Sequence, residues 1–106
     1  MANRYNEIYI VPLSDGRLQF FAIDGKYQLW SCWKETTDPN SGWTAISEFA
    51  MPPAPKNSVI GVIQIHGERL PDGRVQIWTI DIEQNLWSCW KVTTDSQSAW
   101  TDWTLF

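Results

Sequence analysis

The sequence predicts an all-β protein made of two copies of one unit, each a four-stranded antiparallel sheet. Residues 13–49 align without a gap with residues 70–106, and 20 of those 37 positions are identical. Short segments rich in β-branched and aromatic residues alternate with turn residues, which is the pattern of strands joined by tight connections. Six of the eight tryptophans occupy duplicated positions, so they belong to the repeated unit itself.

Four strands are predicted in each unit. They cover residues 7–11, 17–23, 28–34 and 43–49 in the first unit and residues 59–66, 74–80, 85–92 and 100–106 in the second. Asp15-Gly16 and Asp72-Gly73 predict hairpin turns, because glycine takes the positive φ that such turns require. The next turn carries Asp24-Gly25 in the first unit but Asp81-Ile82 in the second, so it does not need glycine at that position.

The chain divides into a first unit at residues 1–50, a proline-rich linker at residues 51–58 and a second unit at residues 59–106. Three prolines make the linker an extended and stiff connector. A unit of about half this chain buries little surface by itself, so the two copies are expected to pack on each other.

The strands are apolar on both faces, which bears on how the sheets pack. Residues 18–23 read Leu-Gln-Phe-Phe-Ala-Ile, and Trp30 and Trp33 fall on opposite faces of one strand because side chains alternate. Four-stranded sheets that cover each other on both faces around an axis form a β-propeller, in which each sheet is a blade. A two-sheet sandwich is the competing fold, but it leaves one face of each sheet in water and predicts cleaner alternation.

Composition and charge argue against several classes of partner. The net charge of −4 and the pI near 4.7 disfavour nucleic acid, whose phosphates need a basic patch. No apolar run approaches the roughly 20 residues that span a bilayer, so no membrane insertion is expected. The N-terminus lacks the layout of a signal peptide, which predicts cytoplasmic synthesis, while release by a non-classical route would leave no such mark.

Neither a metal, a cofactor nor catalysis is expected. Cys32 and Cys89 lie at equivalent positions between tryptophans and are predicted to be buried free thiols, without a histidine–cysteine cluster beside them. Glycoside hydrolysis needs a pair of carboxylates, but Glu35 becomes Val92 in the second copy. Catalytic centres are single, whereas the distinctive residues here are duplicated, which favours repeated binding sites without catalysis.

The duplicated residues that best suit ligand binding are aromatic plates with polar neighbours. A sugar ring presents a flat C–H face, which a tryptophan can cover, and a hydroxyl edge, which polar groups can satisfy. The candidate binding residues are the plates Trp33, Trp43, Trp90 and Trp100, the hydroxyls Ser31 and Ser88, and the cations Arg17 and Arg74. The competing interpretation places the tryptophans in the core and the arginines at strand edges, and Trp30 and Trp87 are expected in the core.

The two copies resemble the repeat of the PLL-like and tectonin-type β-propeller lectins. The resemblance rests on Asp-Gly-Arg-Leu-Gln-Phe-Phe-Ala-Ile from residue 15, Leu-Trp-Ser-Cys-Trp-Lys from residue 29 and Asn-Ser-Gly-Trp-Thr from residue 40. It implies a multivalent carbohydrate-binding lectin, with sites for fucose or O-methylated sugars in clefts between blades and with cell-surface glycans as partners. The alternative is a non-catalytic structural or protein-interaction propeller without a sugar site.

Two blades are too few to close a ring, so the sequence also predicts self-association. Members of the family typically carry the whole ring in one chain, whereas this chain has two repeats. Three chains would give six blades and four would give eight. Small two-blade fucose lectins that this chain resembles close as trimers, which implies a homotrimer with six blades. The apolar face left at each end of an isolated pair of blades is the physical reason to expect closure.

Overall fold

The computed structural model describes residues 5–53, 60–95 and 97–106, which form eight strands and no helix. The strands are β1 Tyr5–Pro12, β2 Leu18–Asp24, β3 Leu29–Trp33, β4 Ser47–Glu48, β5 Val62–Arg69, β6 Val75–Asp81, β7 Leu86–Trp90 and β8 Thr104–Leu105. Sheet 1 contains β1 to β4 and sheet 2 contains β5 to β8, each antiparallel and in chain order. The prediction of an all-β chain with two four-stranded antiparallel sheets is confirmed. Most of the predicted linker, residues 54–58, lies outside the described residues.

The last strand of each sheet is much shorter than predicted. The expected strands at residues 43–49 and 100–106 reduce to two residues each, preceded by isolated bridges from Trp43 to Lys34 and from Trp100 to Lys91. Between bridge and strand the pairing shifts by one residue, and the Thr44 hydroxyl accepts a hydrogen bond from the Trp33 amide at 3.0 Å. A side-chain acceptor thus replaces a backbone carbonyl there and interrupts the ladder.

Both kinds of turn follow from local chemistry. Gly16 and Gly73 have φ of 90° and 91°, as the Asp-Gly turns predict. In the following turn the left-handed conformation falls on Tyr27 and Gln84, with φ of 65° and 69°. The position that differs between the units, Gly25 in one and isoleucine in the other, has an ordinary φ, which explains why that turn does not need glycine.

The two sheets pack face to face through their first strands. Strand β5 lies against β1 and β2, and the buried cluster between the sheets draws apolar side chains from both. Its members are Val11, Leu13, Phe21, Ile23, Leu29, Val62, Ile65, Val75, Ile77 and Cys89. Cys32 and Cys89 are buried free thiols, as predicted, and burial raises the pKa of Cys89 to about 12. The core of this chain is therefore the contact between its two repeats.

Each sheet also has an outer face, which points away from the other sheet. On sheet 1, Ile8 and Ile10 alternate with the inward residues of β1 and are 54 % and 43 % exposed. Their counterparts in the repeat, Ile65 and Gly67, face sheet 1 and are buried. On sheet 2, Trp78 and Ile80 alternate with inward residues of β6 and are half-buried. Apolar residues thus occupy both faces of both sheets, as the sequence predicts.

An aspartate fixes the second turn of each unit. Asp81 accepts hydrogen bonds from the amides of Glu83 and Asn85 and from the indole N–H of Trp87 at 2.9 Å. Asp24 does the same in sheet 1 and accepts from the Trp30 indole at 2.8 Å. Each aspartate therefore joins a turn to a tryptophan on the neighbouring strand.

These hydrogen bonds favour the ionised form of the two carboxyl groups. Burial opposes ionisation, but the donors from the indole and the backbone outweigh it, so the pKa values of Asp24 and Asp81 are lowered. Since the unfolded aspartate titrates near pH ~4, the resulting stabilisation is complete above that pH. It is lost as the pH falls through the lower pKa of the folded state.

Replacing Asp81 by alanine is expected to lower the free energy of unfolding by about 3 kcal/mol, because the buried Trp87 indole and two backbone amides lose their acceptor. Asp24→Ala is the matched control, since it removes the equivalent indole and amide contacts from a more exposed setting, without the additional bond that Asn85 Nδ2 donates to Asp81, and should cost less. Urea denaturation followed by far-UV circular dichroism measures both. Equal losses of unfolding free energy in the two variants would show that burial of the turn does not change what its aspartate contributes to stability.

Candidate ligand-binding cleft between the sheets

A cleft of about 500 Å³ opens where sheet 1 meets the last loop of sheet 2. Strands β2, β3 and β4 form one wall, and the loop before β8 forms the other. Its lining residues are Gln19, Ser31, Trp33, Ser47, Glu48, Phe49, Gln97, Ser98 and Trp100. We call this the intersheet cleft. Both repeats contribute to it, so neither unit could form it alone.

The Gln19 amide lines the cleft and is only partly hydrogen-bonded within the described residues. Gln19 is 3 % exposed, and its Nε2 donates a hydrogen bond to Ser31 Oγ at 3.0 Å. Ser31 Oγ in turn donates to the Phe20 carbonyl at 2.9 Å, which fixes the orientation of the amide. Gln19 Oε1 is left buried without a hydrogen-bond partner in the part of the chain that the structure describes. An unsatisfied buried acceptor costs stability, so an acceptor lining a cleft indicates a position for a donor from a ligand.

Aromatic side chains stand on both walls of the cleft. Trp33 comes from β3 and Trp100 from the facing loop, and both pack on the edge of the core. Trp100 lies perpendicular to Phe21 and Phe49, with ring centroids 5.9 and 5.1 Å away. A groove of about 720 Å³ shares Phe49 and Trp100 with the cleft and continues past Trp103. The arrangement offers flat apolar surfaces beside a few polar groups, which is typical of small-ligand sites.

Lys91 holds the Trp100 wall in position. It is 1 % exposed, its Nζ donates to the Asp95 carbonyl at 3.3 Å, and this nitrogen lies 5.7 Å from the Trp100 ring centroid. Burial lowers the pKa of Lys91 to about 8, against the opposing attraction of Asp95 and Asp15. In sheet 1, Lys34 makes the equivalent contacts with its own loop and with Trp43. The loop that carries each tryptophan is therefore tied to the strand beside it.

The structure brings together three of the eight candidate residues predicted from the sequence. Ser31, Trp33 and Trp100 line the intersheet cleft. Arg17 and Arg74 lie at the hairpin turns, where each pairs with the aspartate of its own turn, at 2.8 and 2.7 Å. The remaining three, Trp43, Ser88 and Trp90, are the repeat counterparts of the cleft residues and lie away from it. Trp87 is buried, as expected, whereas Trp30 is half-buried on the outer face of sheet 1.

Sequence reasoning missed Gln19, which lines the cleft, and Lys91, which contacts its Trp100 wall, although each left a signal. Gln19 is a polar residue within an apolar strand, and it is one of the identical positions of the repeat, matched by Gln76. Lys91 ends the duplicated Leu-Trp-Ser-Cys-Trp-Lys segment, where a charge follows apolar residues. A duplicated polar residue in an otherwise apolar strand indicates a binding residue, because burying such a group costs free energy unless it is hydrogen-bonded.

Other kinds of site find no support in the described residues. Within residues 5–53, 60–95 and 97–106, no three histidine, cysteine, aspartate or glutamate side chains lie close enough together to hold a metal ion. In the same part of the chain no helix has the length and hydrophobicity needed to cross a membrane. No protein-family model matches the sequence, and no curated protein matches it significantly.

Proposed function

We propose that this protein is a non-catalytic, multivalent lectin that binds a sugar in the intersheet cleft. The observation that carries the proposal is Gln19, which lines a cleft that both repeats build and whose buried Oε1 has no hydrogen-bond partner among the described residues. A sugar supplies the matching group, because each of its hydroxyls can donate a hydrogen bond while its ring carbons pack on an aromatic face.

The chemistry of the cleft assigns a role to each wall. Trp33 or Trp100 covers the C–H face of the sugar ring, and Gln19 Oε1 accepts from a hydroxyl at its edge. A deoxy or O-methyl substituent would suit the apolar groove past Phe49 and Trp103, which agrees with the fucose or O-methylated class that the resemblance implies. Cell-surface glycans are the proposed partners, since repeated weak sites gain avidity of ~10²–10⁴ on a multivalent surface.

The way in which the two sheets belong to a larger assembly is also part of this proposal. We propose that sheets 1 and 2 are two blades of a β-propeller and that association of chains closes the ring, with six blades from three copies. The exposed apolar side chains on the outer faces support closure, because contiguous apolar surface of this kind is typical of an interface. The number of copies follows from the resemblance to small two-blade lectins.

A protein-interaction or purely structural propeller is the second candidate. The observation in its favour is that Trp33 and Trp100 pack against the hydrophobic core, where Trp100 contacts two phenylalanines edge to face. Tryptophans with that role would be needed for folding whether or not a ligand binds.

Binding to a glycan array, followed by titration of the free sugar identified there, is expected to separate the two functions. A sugar that stacks in the cleft should change tryptophan emission at millimolar or lower concentration, and Trp33→Phe should weaken its affinity. Trp30→Phe is the matched control, because Trp30 is half-buried on the outer face of sheet 1 and lines neither the cleft nor the adjacent groove. An array without hits from folded protein would support the interaction scaffold instead.

A further inference from the structure

The groove of about 720 Å³ beside the intersheet cleft contains three positions at which the two repeats differ in chemistry. The lining residues concerned are Glu48, Asp102 and Trp103. Their counterparts in the other repeat are all aliphatic, namely Leu105, Ala45 and Ile46. Glu48 belongs to β4 and the other two belong to the loop before β8, so packing of the sheets brings them to one groove. The groove thus gains two carboxylates and an indole that duplication does not supply.

We propose that this groove binds an organic cation whose charge lies on a fully methylated nitrogen, as in choline. The inference goes beyond the proposed lectin activity and does not depend on it, because the cation needs no sugar in the intersheet cleft. A methylated ammonium presents apolar methyl groups to its surroundings while it carries a full positive charge. Aromatic faces and carboxylates together therefore suit it better than either group alone.

Three aromatic rings stand at steep angles to one another along the groove. The Phe49 ring centroid lies 5.1 Å from that of Trp100 and 6.3 Å from that of Trp103, with interplanar angles of 85° and 77°. The Trp103 indole N–H donates to the Ala50 carbonyl at 2.9 Å, which fixes the orientation of this ring. All three rings are half-buried. Because the face of an aromatic ring is electronegative, such rings attract a cation that lies within about 6 Å of their centroids.

The buried Lys91 ammonium determines which of these rings can take the ligand cation. Its Nζ lies 5.7 Å from the Trp100 ring centroid, although Lys91 does not line the groove. Two cations at one ring repel each other, so a second cation at Trp100 would be disfavoured. The cation is therefore assigned to the faces of Trp103 and Phe49, and Trp100 supplies apolar surface for its methyl groups.

The charge of the groove is negative. Glu48 and Asp102 are both exposed along it, and the described residues that line it include no lysine, arginine or histidine. A carboxylate beside apolar surface attracts a cation more strongly than it would in open water. The net charge of −4 on the chain acts in the same direction. The groove should therefore prefer a cation to a neutral or anionic ligand of the same shape.

The apolar part of the lining favours a methylated ammonium over a metal ion or a primary amine. Ala50, Met51 and Pro53 also line the groove. A divalent metal ion needs several oxygen ligands, and a primary ammonium has three N–H donors to satisfy. Methyl groups need neither and pack directly against such side chains. Since cavities of this volume hold drug-sized molecules, the cation is expected to be one end of a larger ligand.

Three small ligands of similar shape and different charge test the inference on the full chain. They are choline, its neutral isostere in which a tert-butyl group replaces the trimethylammonium group, and glycine betaine, which adds a carboxylate. Isothermal titration is expected to show millimolar or tighter binding of choline and roughly 10-fold weaker binding of the other two. Equal affinities for choline and its neutral isostere would overturn the proposal, as would the absence of choline binding at tens of millimolar.

A variant without the two groove carboxylates locates the site. Glu48→Gln with Asp102→Asn should weaken choline binding roughly 10-fold, to about the affinity of the neutral isostere. Glu68→Gln with Glu83→Gln is the matched control, because it removes the same charge from two exposed residues that do not line the groove, and it should bind choline like the wild type. Equal losses of affinity in the two variants would attribute the effect to the overall charge of the chain and reject the site.

The same titrations separate this inference from the proposed lectin activity. Choline binding by a protein that gives no hits on the glycan array would leave the cation site standing and reject the lectin. Sugar binding without choline binding would leave the lectin standing and reject the cation site. Circular dichroism of each variant checks that it is folded, and substitutions of exposed side chains are expected to leave its spectrum unchanged.

Discussion

Replacing Gln19 by leucine is expected to weaken sugar binding by roughly 10- to 100-fold without destabilising the protein. The change removes the acceptor for a ligand hydroxyl, and a buried hydroxyl without a partner costs about 1–3 kcal/mol. In the protein without ligand the same change removes an oxygen that has no partner among the described residues, together with the hydrogen bond from Gln19 Nε2 to Ser31 Oγ at 3.0 Å. The gain from the first and the loss from the second oppose each other, so the free energy of unfolding should change by less than about 1 kcal/mol. Unchanged stability together with a loss of affinity is typical of a residue retained for binding.

A matched control makes the Gln19 result specific. Thr79→Val removes the other buried side-chain oxygen without a partner among the described residues, away from the intersheet cleft, so it should leave affinity unchanged. Isothermal titration and urea denaturation measure the two effects. Loss of stability in Gln19→Leu with unchanged affinity would show that Gln19 is structural.

The Phe21→Ala substitution is expected to lower the free energy of unfolding by about 3–5 kcal/mol. Phe21 is fully buried, and its ring meets both Phe49 and Trp100 edge to face, at 5.5 and 5.9 Å between centroids. Its removal leaves a cavity where the two sheets join, so the loss affects the whole chain. Since a domain is stabilised by only about 5–15 kcal/mol, such a loss consumes a large part of the total.

Phe20→Ala is the matched control for the core substitution. Phe20 is the adjacent phenylalanine, half-buried on the outer face of sheet 1, where it contacts Tyr5 and Trp43. Both substitutions are compared by urea denaturation at one protein concentration. Phe20→Ala should cost clearly less. If the two losses were equal, the contact between the sheets would not be the core of the chain.

The duplicated sequence was sufficient to predict the sheets and their turns. Period-two alternation fixes which side chains share a face, and Asp-Gly pairs select a turn with a positive φ, as observed at Gly16 and Gly73. Both are local effects that depend on neighbours in the chain. Burial of Cys89 and Trp87 followed from their place in an apolar strand, since few residues there can face water.

Tertiary packing determined the features that do not follow from interactions between neighbours in the sequence. The fourth strands end early because the Thr44 hydroxyl takes a backbone hydrogen bond, a competition that strand propensity does not describe. Arg17 pairs with Asp15 because an ion pair within one turn forms more readily than a contact with the distant cleft. Whether Gln19 Oε1 finds a hydrogen-bond donor among the described residues depends on which atoms of β3 surround it.

The repeat by itself established that each sheet has two apolar faces, but it could not assign a neighbour to each face. In the folded chain, the contact of β5 with β1 and β2 makes one pair of faces the core and leaves the other pair outside. That choice separates Ser31 and Trp33, which share a cleft with Trp100, from Ser88 and Trp90, which do not. Identical residues thus acquire different surroundings, because burial depends on which sheet packs against them and the sequence of one strand does not contain that information.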